Sequence, residues 1–169
     1  MVFLMTFVLI SSGLIYLLAA RSDLLFRIIP NWMPIAVSGL AILRWAAAPQ
    51  VSEALWTLGS AASIFAVGLV CFSRGWFGGG DVKLLSATVL LVGSERAIPF
   101  LMIMALAGGV LSVVVLIWAW LVRRPTRASV AGAGPSEAGA AALPPPSVPY
   151  GIAIAVAAIC VEFPQLLQH

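Results

Sequence analysis

Six apolar runs organise this chain, at residues 2–20, 33–48, 54–73, 82–93, 98–122 and 150–167. A helix that crosses a membrane needs roughly 20 predominantly apolar residues, and all but one of the connections between these runs are short. The pattern fits a bundle of helices in lipid and leaves no room for a separate soluble catalytic domain. Composition agrees: 62 % of the 169 residues are hydrophobic and 9 % charged, whereas soluble domains are about a quarter charged. Mean hydropathy is +1.11. The sequence therefore predicts an all-α, polytopic membrane helix bundle of about six transmembrane helices, forming a single membrane-embedded domain over residues 1–169. The one long connection, 123–149, is rich in Ala, Gly and Pro and contains Pro144-Pro145-Pro146. It cannot build a core and is expected to be a flexible linker on the cytoplasmic side.

Charge placement gives an orientation. No Lys or Arg precedes the first run and Arg21 follows it, the reverse of a secretory signal, so this run is expected to persist as a span. Arg21, Arg27, Arg74, Lys83, Arg123, Arg124 and Arg127 fall on one side of the alternating spans, and only Arg44 and Arg96 on the other. The positive-inside rule then puts both termini outside and the first-named set in the cytoplasm. Trp32, Trp76, Trp118 and Trp120 lie near that same boundary, where indole rings favour the interface. The expected location is the cytoplasmic (inner) membrane, with the lipid bilayer as surroundings.

Several chemistries drop out. A net charge of +3 is too small to suggest nucleic acid as a partner. The single histidine, His169, is the last residue of the sequence, a poor anchor for a metal, a haem or a histidine-activated nucleophile. Cys71 and Cys160 stand in apolar runs without a C-x-x-C spacing and are expected to be buried hydrophobes, not ligands. Glycines 78–80 lead into Asp81 and not into Lys-Ser/Thr, so there is no phosphate loop. No metal and no cofactor is expected. The polar chemistry left to the membrane region centres on Asp23 and Asp81.

Each aspartate has an ordinary structural explanation. Asp23 precedes Arg27-Ile28-Ile29-Pro30-Asn31 and reads as a helix end, with Pro30 starting the next helix. Asp81 follows Gly78-Gly79-Gly80 and reads as the N-cap of a helix. Depth argues for more. Asp81 and Glu95 are 14 residues apart, about 21 Å along a helix, against a hydrocarbon core of about 30 Å. With Glu95 at one interface, Asp81 lies below the other, where an ionisable group is a functional candidate. Glycines suit such a place because their backbone can approach another chain closely. Two converging carboxylates cannot both ionise cheaply, so one keeps a proton. The ionised one can then take a proton from water while the other donates to a scissile carbonyl.

These residues resemble a known family. Asp23…Arg27-x-Ile29-Pro30-Asn31 and Gly78-x-Gly80-Asp81-Val82-Lys83-Leu84 are similar to the two aspartate motifs of the type IV prepilin peptidases, aspartic proteases of the G-x-G-D class. The stretch from Val148 through Pro149, Tyr150 and Gly151 to Ala155 is similar to the start of their last helix. The resemblance implies an endopeptidase that removes the basic leader from prepilins or pseudopilins at the cytoplasmic face. Asp23 and Asp81 would be the catalytic pair. Gly78, Gly79, Gly80, Lys83, Arg27, Pro30 and Asn31 would support the site or the substrate. For Arg27 and Lys83, membrane anchoring by the positive-inside rule is the competing explanation. The cysteine segment tied to N-methylation in long members of the family is not in this sequence, so methyltransferase activity is not expected. The chain looks like the short form associated with Flp (tight-adherence) pili. An archaellin-type leader peptidase is the alternative with the same chemistry; a non-enzymatic scaffold or small transporter is the alternative without it.

One further expectation concerns structure alone. Arg44 and Glu162 fall at similar depths in the second and sixth runs, about 16–18 Å from the cytoplasmic end. They are expected to pair, bringing those two helices together.

Overall fold

Among the described residues each apolar run contains one helix. The computed structural model describes residues 2–47, 50–122, 150–162 and 164, which form α1 (Val2–Phe26), α2 (Trp32–Ala47), α3 (Val51–Ser73), α4 (Gly79–Val92), α5 (Ser94–Val122) and α6 (Tyr150–Glu162). Among the described residues there is no strand. The linker expected at 123–149, and with it Arg123, Arg124 and Arg127, lies outside the described residues.

The helices fall into two length classes. Stretches of α1, α3 and α5 (Phe3–Phe26, Val51–Ser73 and Ser94–Leu121) are each long and apolar enough to cross a membrane. The even-numbered helices have 16, 14 and 13 residues, about 20–24 Å at 1.5 Å per residue, short of a ~30 Å hydrocarbon core. The most enclosed is α4, with Leu84, Val89, Leu91 and Val92 almost wholly buried; it packs against α2, α3, α5 and α6. The long helices turn large apolar side chains such as Phe3, Trp56 and Leu106 outward, as a lipid-facing surface does. The chain is a multi-pass membrane helix bundle.

Some boundaries differ from the sequence expectation. Helix α1 does not end before Asp23 but continues to Phe26. Pro30 does not start the second helix; it lies in the turn that precedes Trp32, and the Met33 N–H donates to its carbonyl at 3.1 Å. Cys71 is half-buried and Cys160 exposed, both as free thiols, so Cys160 is not the buried hydrophobe expected.

Two helix pairs are each tied at two levels. Between α1 and α6, the Gly151 N–H donates to Asp23 Oδ2 at 2.7 Å, and Ser12 Oγ donates to Glu162 Oε2 at 2.7 Å. Between α2 and α4, Lys83 Nζ donates to Asn31 Oδ1 at 3.0 Å, just ahead of α2. At the other end Arg44 Nη1 donates to the carbonyl of Leu91, with Val92 O at 3.5 Å. Arg44 thus meets the last carbonyls of α4, which have no partner inside the helix and attract a cation. This corrects the expected Arg44–Glu162 pair. Arg44 still attracts Glu162 electrostatically, but its hydrogen bonds go to α4 and the Glu162 carboxylate takes the Ser12 hydroxyl.

Candidate active site

The site is built where α1 ends, α4 begins and α6 begins. Asp23 lies in the last turn of α1. The helix stops because Arg27 adopts a left-handed conformation (φ 53°), and the Arg27 N–H closes on the Asp23 carbonyl at 3.0 Å. This is a left-handed helix stop of the kind glycine usually provides. Ser22 Oγ donates to the Ile28 carbonyl at 2.6 Å, folding residues 27–31 back under the bundle and burying Ile29.

The Asp23 side chain is buried. Its Oδ2 takes the N–H of Gly151, the second residue of α6, where backbone N–H groups lack helical partners and favour an anion. A Cβ at Gly151 would stand 2.8 Å from that oxygen and 2.9 Å from Asp23 Cβ. Only glycine allows the contact.

Asp81 is the third residue of α4, and the capping position belongs to Gly78, whose backbone is extended (φ −73°, ψ 140°). The N-cap explanation of Asp81 is therefore displaced by three residues. Its carboxyl folds back over Gly78, where an added Cβ would lie 2.7 Å from Oδ2. Asp81 Oδ1 is buried and has no hydrogen-bond partner among the described residues. The next two glycines make way for neighbours. A Cβ at Gly79 would meet the Phe72 ring at 3.2 Å, and one at Gly80 would meet Ile29 Cβ at 3.0 Å and its carbonyl oxygen at 3.3 Å. Gly80 thus lets the 27–31 turn rest directly on the start of α4.

The two carboxylates are thus brought to one end of the bundle, Asp23 at the end of α1 and Asp81 at the start of α4. Asp81 experiences the charge of Asp23, and Asp23 that of Arg27. Among the other residues marked in the sequence, the structure gathers Gly78, Gly79, Gly80 and the Arg27–Asn31 turn around the pair. Half-buried Pro30 and exposed Asn31 lie on that turn. Lys83 points to Asn31 and fastens the turn to α4. Among the described residues no group of three or more His, Cys, Asp or Glu side chains is placed to hold a metal.

Residues 3–113 match the type IV leader peptidase family, a stretch that contains both aspartate segments. The chain belongs to that family. No curated protein and no solved structure matches it. In this family member the matched stretch ends within α5, so Gly151 lies beyond it. Gly151 is also what residue-by-residue reasoning left without a role. Its signal in the sequence was present, in a Pro-Tyr-Gly sequence opening the last helix. A second link accompanies it: Tyr150 stacks on Phe77 with ring centroids 4.8 Å apart, joining the start of α6 to the residue before Gly78.

Proposed function

We propose that this leader peptidase family member is a single membrane-embedded aspartic endopeptidase that removes the basic leader from type IV, Flp-like prepilins at the cytoplasmic face of the inner membrane. The observation that carries the reading is the placing of Asp23 and Asp81 at one end of the bundle, with Asp81 Oδ1 buried and without a hydrogen-bond partner among the described residues. A pair of this kind holds one proton between two acids. The ionised member removes a proton from water as the oxygen attacks the scissile carbonyl, and the protonated member gives its proton to the carbonyl oxygen. Collapse of the tetrahedral intermediate, with a proton delivered to the leaving nitrogen, breaks the C–N bond and restores the pair.

Orientation is supported by charge. Arg21, Arg27, Arg74 and Lys83 gather at the same end as the carboxylates, while Arg44 and Arg96 mark the other, so the positive-inside rule puts the pair on the cytoplasmic side. A basic leader is kept there by the same rule. The test is co-expression with a candidate prepilin. Asp23→Asn and Asp81→Asn should each slow leader removal by about 10²–10⁴-fold while the protein still accumulates in the membrane. Cleavage at the unmodified rate in either variant overturns the two-aspartate mechanism.

A further inference from the structure

Beside the carboxylates, an apolar groove of about 620 Å³ runs between α3 and α5 over a floor of Val82 and Leu85 from α4. It opens sideways through the outer surface of the bundle, where Val67, Ala105 and Gly109 are exposed. Among the described residues no charged side chain lines it. Its two serines are already satisfied by their own helices: Ser63 Oγ donates to the Gly59 carbonyl and Ser112 Oγ to the Gly108 carbonyl. The wall on α5 extends from Leu101 to Ser112, about 16 Å or three helical turns. Small exposed residues at 105 and 109 would allow another helix to approach closely, as helices do in membranes.

We infer that this groove is the docking site for an apolar helix carried by the substrate polypeptide next to its cleavable bond, an inference that rests on the leader peptidase reading. Continuity with the carboxylates selects a polypeptide over an acyl chain. The groove ends on the stacked Phe77–Tyr150 pair. Phe77 is followed by Gly78, which touches the Asp81 carboxyl, and Tyr150 by Gly151, which binds Asp23. An occupant lying along the groove brings its end to both aspartates, and a helix with a cleavable bond at that end is the chemistry those two groups can use. Residues that contact the occupant inside the bilayer then select for its helix, separately from the groups that cut.

Gly109 provides a clean obstruction, because a Cβ there meets nothing within 4 Å while the residue lines the groove. In phosphatidylethanolamine–phosphatidylglycerol vesicles, Gly109→Leu should raise KM for full-length prepilin about tenfold with kcat preserved. A short peptide spanning the leader junction but lacking the apolar helix should be cut as by the unmodified protein. Gly59→Leu, on α3 and also in open space, should change neither. A benzophenone side chain at position 105, in a protein also carrying Asp81→Asn, should crosslink to the prepilin helix. Unchanged full-length kinetics, equal losses on both substrates, or crosslinks only to lipid or to this chain would each overturn the groove. Failure of the unmodified protein to cut any prepilin would instead count against the peptidase reading.

Discussion

Gly151 holds Asp23 by a 2.7 Å hydrogen bond across 128 residues of sequence. The bond joins the start of the last helix to the end of the first and fixes a buried carboxylate on which the Ile152 N–H also acts. Gly151→Ala would force a Cβ to within 3 Å of three Asp23 atoms. We expect kcat to fall about 100-fold, the effect of displacing a reacting group by about 1 Å, with KM little changed. Steady-state kinetics on a prepilin check this, with Gly59→Ala as the neutral glycine control.

Two carboxylates that share a proton should give a bell-shaped pH profile for kcat/KM. On the acid side both members are protonated and water has no base. On the alkaline side both are ionised and the scissile carbonyl has no donor. Activity measured across the range in vesicles should show both limbs, and a chelator such as EDTA should leave the rate unaltered. Abolition by the chelator would contradict the two-aspartate mechanism.

Lys83 and Arg74 separate positioning from simple anchoring. Lys83 Nζ binds Asn31, whereas Arg74 lies over the Trp76 ring at 5.6 Å. Lys83→Gln should slow cleavage several-fold and Arg74→Gln should not. Asn31→Ala should add little to Lys83→Gln, because both remove one bond. Equal rates for the two single charge variants would reduce Lys83 to a topological charge.

At the opposite end, thermal unfolding in detergent distinguishes the partners of Glu162. Ser12→Ala and Glu162→Gln should be coupled by about 0.5–3 kcal/mol, as expected within one hydrogen bond. Arg44→Gln and Glu162→Gln should be coupled more weakly than that, since their charges attract but their hydrogen bonds go to different groups. Strong coupling in the second cycle would restore the direct pair.

The helices, and the two segments that carry Asp23 and Asp81 to one end of the bundle, were legible because length, charge side and the Gly-Gly-Gly-Asp run are properties of short stretches. Which faces meet was not. In α5, Phe100 and Met104 are buried while Leu106 and Val110 are exposed; all four are apolar, since lipid and protein interior reward the same side chains. Periodicity therefore says little about packing in this chain. The same limit explains Arg44: depth gave it a carboxylate of matching height, but its donor went to the unpaired carbonyls of α4, which no side-chain inventory displays. Gly151 escaped for a related reason, since its contribution is a backbone N–H.

The cross-ties described above have a mechanical meaning. Asp23 travels with α1 and α6, fastened near Gly151 and again at Ser12–Glu162. Asp81 travels with α2 and α4, fastened at Lys83–Asn31 and again at Arg44–Leu91. The two carboxylates thus hang on two differently braced helix pairs, which meet where α1 packs on α2 and α4 on α6, where Tyr150 stacks on Phe77 and where Gly80 bears on Ile29. A substitution along that seam, at Gly80 or Phe77, would therefore alter the gap between the two acids without touching either of them.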